Sequence, residues 1–260
     1  MFKEIGMKFV GRSAALSAQE LASIAGDLKL KVAEIWAVLS VETRGNGFLP
    51  DRRPPILFER HVFSRLTDHK YDSENPDISS STPGGYGAAG AHQYLRLEKA
   101  MKLDEDAALA STSWGLAQVM GFNSKAAGFS DVRSMIQAMV DSENGQVKAM
   151  CTFIAGKNLQ PFLAAHDWTS FARKYNGPNF AKNAYDQRLR GAYAKYSIGV
   201  FPDLLVRSAQ LYLTFKGFDP DGIDGVLGNM TRSCLKAFQS SQNLPETGLP
   251  DKATMQALTP

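Results

Sequence analysis

The sequence predicts a mainly α-helical protein in two parts, a large helical domain over residues 1–197 and a small three-helix unit over 198–260. Three observations carry that expectation. Apolar residues recur at helical spacing along most of the chain. Capping signals and Gly/Pro breaks punctuate those stretches at ordinary helix lengths. Near Ser197-Ile198-Gly199 the pattern restarts in a compact segment with its own caps and turns. Of the 260 residues 44% are hydrophobic and 21% charged, enough to build one large core and one small one.

Taken in order, Ser17 and Glu20 form a capping-box pattern, and Leu21, Ile24, Ala25 and Leu28 supply the stripe of a first helix. Val32, Ile35, Trp36 and Leu39 give a second stripe, whose next position is Glu42, with Gly45 and Gly47 just beyond. Pro50, Pro54 and Pro55 exclude a helix there, and Ile56 to Phe63 fits either a short strand or a helical turn. Residues 79–91, SSSTPGGYGAAGA, read as a loop and a movable wall of a cleft. Helical stretches follow from Tyr94 to Tyr196, one of them beginning at Gly115, with a break at Asn176-Gly177-Pro178. In the last segment Gly222, Gly225 and Gly228 mark a tight loop, Thr231 opens a helix, and Cys234, Leu235 and Phe238 form its apolar face. Thr247-Gly248-Leu249 to Thr254 repeats that device in shorter form.

A net charge of +3 is far from that of a dedicated nucleic-acid binder. No apolar run is long enough to span a bilayer, so stable membrane insertion is not expected. The opening residues lack the apolar core of a secretory signal, which places the chain in the cytoplasm where it is made. Cys151 and Cys234 fit no metal or redox spacing and read as buried free thiols. The four histidines, His61, His69, His92 and His166, form no metal-ligand pattern.

Glu42 is the residue with chemistry in its position. It falls in the last turn of its helix, on the face that otherwise enters the core. Desolvation and the negative helix end both disfavour its carboxylate and raise its pKa, as a general acid near neutral pH requires.

Three motifs in this order resemble the lysozyme superfamily, in its goose-type lysozyme and lytic transglycosylase branch: VETRG at Glu42, SWGLAQV from Ser113, and Tyr175-Asn176-Gly177. Thr43 and Ala117 replace that branch's serine and methionine. The run AVLSVETRGNGFLPDRRPPILFERHVF more closely resembles the phage-type N-acetylmuramidase family, over residues 17–197. That resemblance implies a lysozyme-like helical fold and hydrolysis of the bond between N-acetylmuramic acid and N-acetylglucosamine in peptidoglycan. It implies Glu42 as acid and Glu59 of the FERH segment as the second carboxylate, with Arg60 keeping Glu59 ionised. Ser113, Gln118, Tyr175 and Asn176 would hold the sugar, and no metal or organic cofactor is implied. The alternatives are a lytic transglycosylase, which needs no water-activating base, and a wall-binding protein without activity.

The last segment, GFDPDGIDGVLG with Thr231 and then AFQ, resembles the small three-helix peptidoglycan-binding module attached to wall hydrolases, with Asp224 and Thr231 as candidate contacts. The expectation is a monomeric endolysin held in the host cytoplasm until a separate pore releases it to the periplasm and wall. Its module would anchor it, and the part before Ser197 would carry the chemistry alone.

Overall fold

The computed structural model describes residues 9–42, 46–178 and 180–260, except the side chains of Glu42 and Lys182. Among them are thirteen α-helices and one antiparallel sheet of three short strands. Helix α1 (Ala18–Asp27) is capped by the Ser17 hydroxyl, which accepts from the Glu20 N–H. Helix α2 (Val32–Glu42) is apolar nearly all round, with Ile35, Ala37, Val38 and Leu39 buried. A helix of that kind belongs in the middle of a core. The stripe that ends at Glu42 is therefore only part of its buried surface.

Strand β1 (Ile56–Phe58) pairs with β2 (Thr112–Trp114), which pairs with β3 (Val119–Met120), so that Phe58 faces Thr112 and Ser113 faces Met120. Helix α3 (Arg60–Leu66) follows β1 after one residue, so the ambiguous stretch is a strand and then a helix. Helices α4 (His92–Met101) and α5 (Glu105–Ala110) precede β2, and α6 (Val132–Asp141) and α7 (Glu143–Gly156) follow β3. Helices α8 (Gln160–Ala164), α9 (Trp168–Asn176) and α10 (Tyr185–Ser197) complete the large part. Helix α10 lies along α2, bringing the Tyr196 and Trp36 rings to 5.9 Å and the Arg188 guanidinium to the Val41 carbonyl at 3.0 Å. The predicted helix from Phe180 is broken at Ala184, whose φ of 48° is left-handed.

Helices α11 (Leu204–Phe215), α12 (Asn229–Ser241) and α13 (Lys252–Leu258) form the C-terminal part, in which Cys234, Leu235 and Phe238 are buried as expected. The internal repeat is visible in two glutamines. Gln210 donates to Asp224, the Val226 carbonyl and Thr231 while accepting from the Gly225 N–H. Gln239 does the same with Thr247, the Leu249 carbonyl, Thr254 and the Gly248 N–H. Both cysteines are buried free thiols, and burial pushes Cys151 up to about 12.

The joint between the two parts is extensive. The C-terminal core includes Ala15 and Phe48 of the large part. Phe48 is fully buried with its ring 6.3 Å from that of Phe215, and the Ala15 N–H donates to the Tyr212 hydroxyl at 3.0 Å. Arg207 of α11 pairs with Glu143 of α7, both buried. The small unit thus shares part of its core with the large part. An apolar residue such as Phe48 carries no mark of which core it enters, and the linker composition near 198 concealed the contact.

Helix α6 offers a local test of the fold. Asp131 and Ser134 form a reciprocal capping box, and the bond from the Ser134 N–H holds the Asp131 carboxyl below the usual range. A carboxyl lowered by folding stabilises above its unfolded pKa and loses that contribution as pH falls through the folded value. Asp131→Ala should therefore lower the urea midpoint at pH 7, and by less as the pH falls through the folded value.

Candidate active site

Sequence and sheet pairing place Glu59 at a corner. Strand β1 ends at Phe58 and α3 begins at Arg60, so Glu59 is the N-cap, with its N–H bonded to the Ser111 carbonyl at 3.0 Å. Its side chain does not cap the helix and turns elsewhere. Oε1 accepts from the Tyr86 hydroxyl at 3.3 Å. Oε2 lies 3.1 Å from His61 Nδ1, within ion-pair range but without hydrogen-bond alignment, and both atoms are buried without a hydrogen-bond partner among the described residues. An unsatisfied buried carboxylate oxygen is costly in a structural role. It suits a group whose partner is substrate or water.

Arg60 does not pair with Glu59 as expected. Its guanidinium donates to the carbonyls of Pro76 and Thr82, at the edge of the Gly-rich loop. Gly85 of that loop has φ +69° and comes so near Arg60 that a Cβ would lie 2.8 Å from the guanidinium carbon. From α4, Gln93 accepts from the Phe58 N–H and donates to the Tyr86 and Ala88 carbonyls. Arg96 spans the Phe58, Tyr86 and Asp77 carbonyls. These bonds pin the expected cleft wall to β1 and hold Tyr86 over Glu59. Burial, with the Glu59 charge beside it, raises the Tyr86 pKa and keeps it a donor.

The stretch after Ser113 is a hairpin turn, not the start of a helix. Gly115 has φ +70° and Gln118 φ +50°, and left-handed residues at both ends of a four-residue turn cannot begin an α-helix. The Ser113 hydroxyl donates to Gln118 Oε1, and Gln118 Nε2 donates to the Pro55 and Gly115 carbonyls. Both side chains are thereby committed to closing the turn. Gln146 of α7 clasps it from beneath, accepting from the Leu116 N–H and donating to the Gly47 carbonyl.

Glu42 ends α2, and its side chain lies outside the described residues, as do Thr43 to Gly45. The chain is held on either side of it. Arg188 donates to the Val41 carbonyl, and Gly47 is bonded through its N–H to Glu143 and through its carbonyl to Gln146. Arg188 places positive charge at the helix end, against the negative end of the helix dipole. Tyr175 stacks on Phe171 at 5.1 Å and near Tyr185 at 6.5 Å. Since Tyr185 and Arg188 are three residues apart on α10, this places Tyr175 toward the Glu42 end of α2. Asn176 is exposed at the end of α9, where Gly177 takes φ +83°.

In the C-terminal part, Asp224 and Thr231 line a cavity of about 220 Å³ with Gln210, Asp221 and Asn229. Thr231 is 2% exposed and its hydroxyl donates to the Pro220 carbonyl, so it shapes the cavity wall. Asp224 also borders a second cavity of about 320 Å³ between the two parts, facing Trp36, Ser40 and Lys195.

Sequence reasoning did not find Tyr86, Gln93, Arg96, Arg188, Glu143 and Gln146, and it set His61 aside. Each acts through a partner remote in sequence, and only Tyr86, the single aromatic in a small-residue loop, carries a local signal. Among the described residues no group of three or more His, Cys, Asp or Glu converges, and no helix is long and apolar enough to cross a membrane.

Residues 31–197 match the N-acetylmuramidase family, and residues 203–258 match a peptidoglycan binding domain family. The crystal structure of the Burkholderia AP3 phage endolysin is similar at 39% identity and a TM-score of 0.67, over 71% of each chain. No curated protein matches.

The loop's attachment can be tested apart from chemistry. Gln93→Ala removes three bonds, two of them to the loop, and leaves the buried Phe58 N–H unsatisfied. It should cost about 2–3 kcal/mol of stability and speed proteolysis within residues 79–91. Unchanged cleavage there would mean that Gln93 does not hold the loop.

Proposed function

The chain belongs to the N-acetylmuramidase family, and from that premise we propose that it cleaves the β-1,4 bond between N-acetylmuramic acid and N-acetylglucosamine with Glu42 as general acid. The family match makes it a glycoside hydrolase with a peptidoglycan-binding part. The residues and the bond are the proposal.

One observation carries it. Glu59 offers a carboxylate with one oxygen held by Tyr86 and the other buried without a hydrogen-bond partner among the described residues. Cleavage by hydrolysis needs an acid to protonate the leaving oxygen and a second carboxylate to activate water or attack the sugar. Glu42, the last residue of a largely buried helix, takes the first role, as the family resemblance of its VETRG motif implies. Glu59 takes the second. Tyr86 orients it, and His61 stands ready to stabilise its charge. Tyr175 supplies a ring face for the sugar and Asn176 an amide. Ser113 and Gln118 contribute by fixing the turn that floors the cleft. The C-terminal part grips the wall through the cavity beside Asp224. The likeness to a phage endolysin supports a role in host lysis, with a separate pore admitting a monomeric enzyme to the wall.

Mass spectrometry of muropeptides released from purified sacculi tests this reading. Wild type should release fragments with reducing muramic acid ends, and Glu42→Gln and Glu59→Gln should each lower the rate about 10²–10⁴-fold. Full turnover by Glu42→Gln would remove the acid assignment. Anhydro-muramic ends with an active Glu59→Gln would make the protein a lytic transglycosylase. No glycan cleavage by wild type would leave only wall binding.

A further inference from the structure

We propose that the cavity between the two parts binds the short, oppositely charged peptide that muramic acid carries in peptidoglycan. The inference deepens the reading of peptidoglycan as the substrate and rests on it for the choice of ligand.

The cavity holds about 320 Å³, within the range of small-ligand sites, and such sites favour junctions between parts of a protein. Trp36 and Ser40, one turn apart on α2, line one side of it. Ser40 is exposed and stands two residues before Glu42, while Leu116 brings in the turn between Ser113 and Gln118. The cavity therefore borders both the helix that ends at Glu42 and the turn beside it. Lys195 and Tyr196 of α10 form a second side, and Asp224 faces them from the C-terminal part.

The lining says what fits. Trp36 and Tyr196 are 7% and 6% exposed, too little for a sugar ring to lie flat on either. The rim carries both signs of charge instead. Lys195 is exposed, with Nζ 5.5 Å from the Tyr196 ring centroid. Asp224 is exposed across from it, and its Oδ1 accepts from Gln210 and from the Val226 N–H. The N-acetyl sugars of the glycan are uncharged, whereas its peptide carries carboxylates and an ammonium group. A cation on one part and an anion on the other match that peptide.

The two charges are also held in place. Phe201 stacks on Tyr196 at 6.0 Å, which packs the chain leaving α10 against that helix. The Asp203 N–H then donates to the Gly225 carbonyl at 3.3 Å. Gly225, at φ +75°, comes so close that a Cβ would lie 2.8 Å from the Asp203 nitrogen. The loop carrying Asp224 is thus fixed to the segment that follows Lys195, and the rim is set before a ligand arrives.

The test titrates the tripeptide alanyl-γ-glutamyl-diaminopimelic acid into the full chain and follows the indole N–H signals by NMR. The Trp36 signal should shift, and Lys195→Glu should weaken the Kd about 5–10-fold. Asp224→Asn, which keeps an acceptor for Gln210 and Val226, should weaken it by a smaller factor. No shift at Trp36, shifts confined to Val226 and Met230 around the Thr231 cavity, or an unchanged Kd in Lys195→Glu would each overturn the proposal. On soluble glycan, KM should be lower for strands that bear peptide than for strands stripped of it, and Lys195→Glu should remove that difference. A difference that survives in Lys195→Glu would also overturn the proposal. The titration needs no turnover, so an inactive wild type whose Trp36 signal still shifts would remove the cleavage reading and leave the peptide site.

Discussion

A carboxylate with no access to water is tolerated only when its charge and lone pairs are matched inside the protein. Glu143 meets that condition with donors from three places: the start of the chain at Leu16, the segment after α2 at Gly47, and α11 at Arg207. Removing any one leaves the others facing an incomplete site. That constraint explains why the C-terminal helices share a core with Ala15 and Phe48. It also joins the two parts through a buried ion pair beside their shared core.

The proposed catalytic pair, Glu42 and Glu59, belongs to two different supports. Glu42 comes from a buried helix braced along its length by α10 and at its end by Arg188. Glu59 comes from the corner between β1 and α3, held by sheet pairing below and by Tyr86 above. Gln146 connects the supports, since one amide binds both Gly47 and Leu116. Each support is held by its own contacts, as the proposed reaction, with two groups acting on one bond, would require.

What could be read from the sequence follows from the range of the interactions. The stripes of α1 and α2, the Ser17 cap and the glycine-rich repeat of the last segment depend on neighbours within a few residues, and all were legible. The turn at Gly115 was misread because a glycine before apolar residues looks like a helix start, whereas pairing of β2 with β1 decides it. Glu59 stands in the FERH motif, but its partners could not be read from it. The adjacent Arg60 serves a loop, while Tyr86 comes from 27 residues away. Arg207 and Glu143 lie 64 residues apart in unremarkable helices, so their meeting could not be read locally.

Scanning calorimetry of the intact chain at neutral pH tests most directly whether the buried joint makes one unit of the two parts. A shared core and a matched buried ion pair predict a single endotherm whose calorimetric and van't Hoff enthalpies agree. Two separated endotherms, one with the enthalpy of a unit of about 60 residues, would mean that the parts unfold independently and would contradict the account.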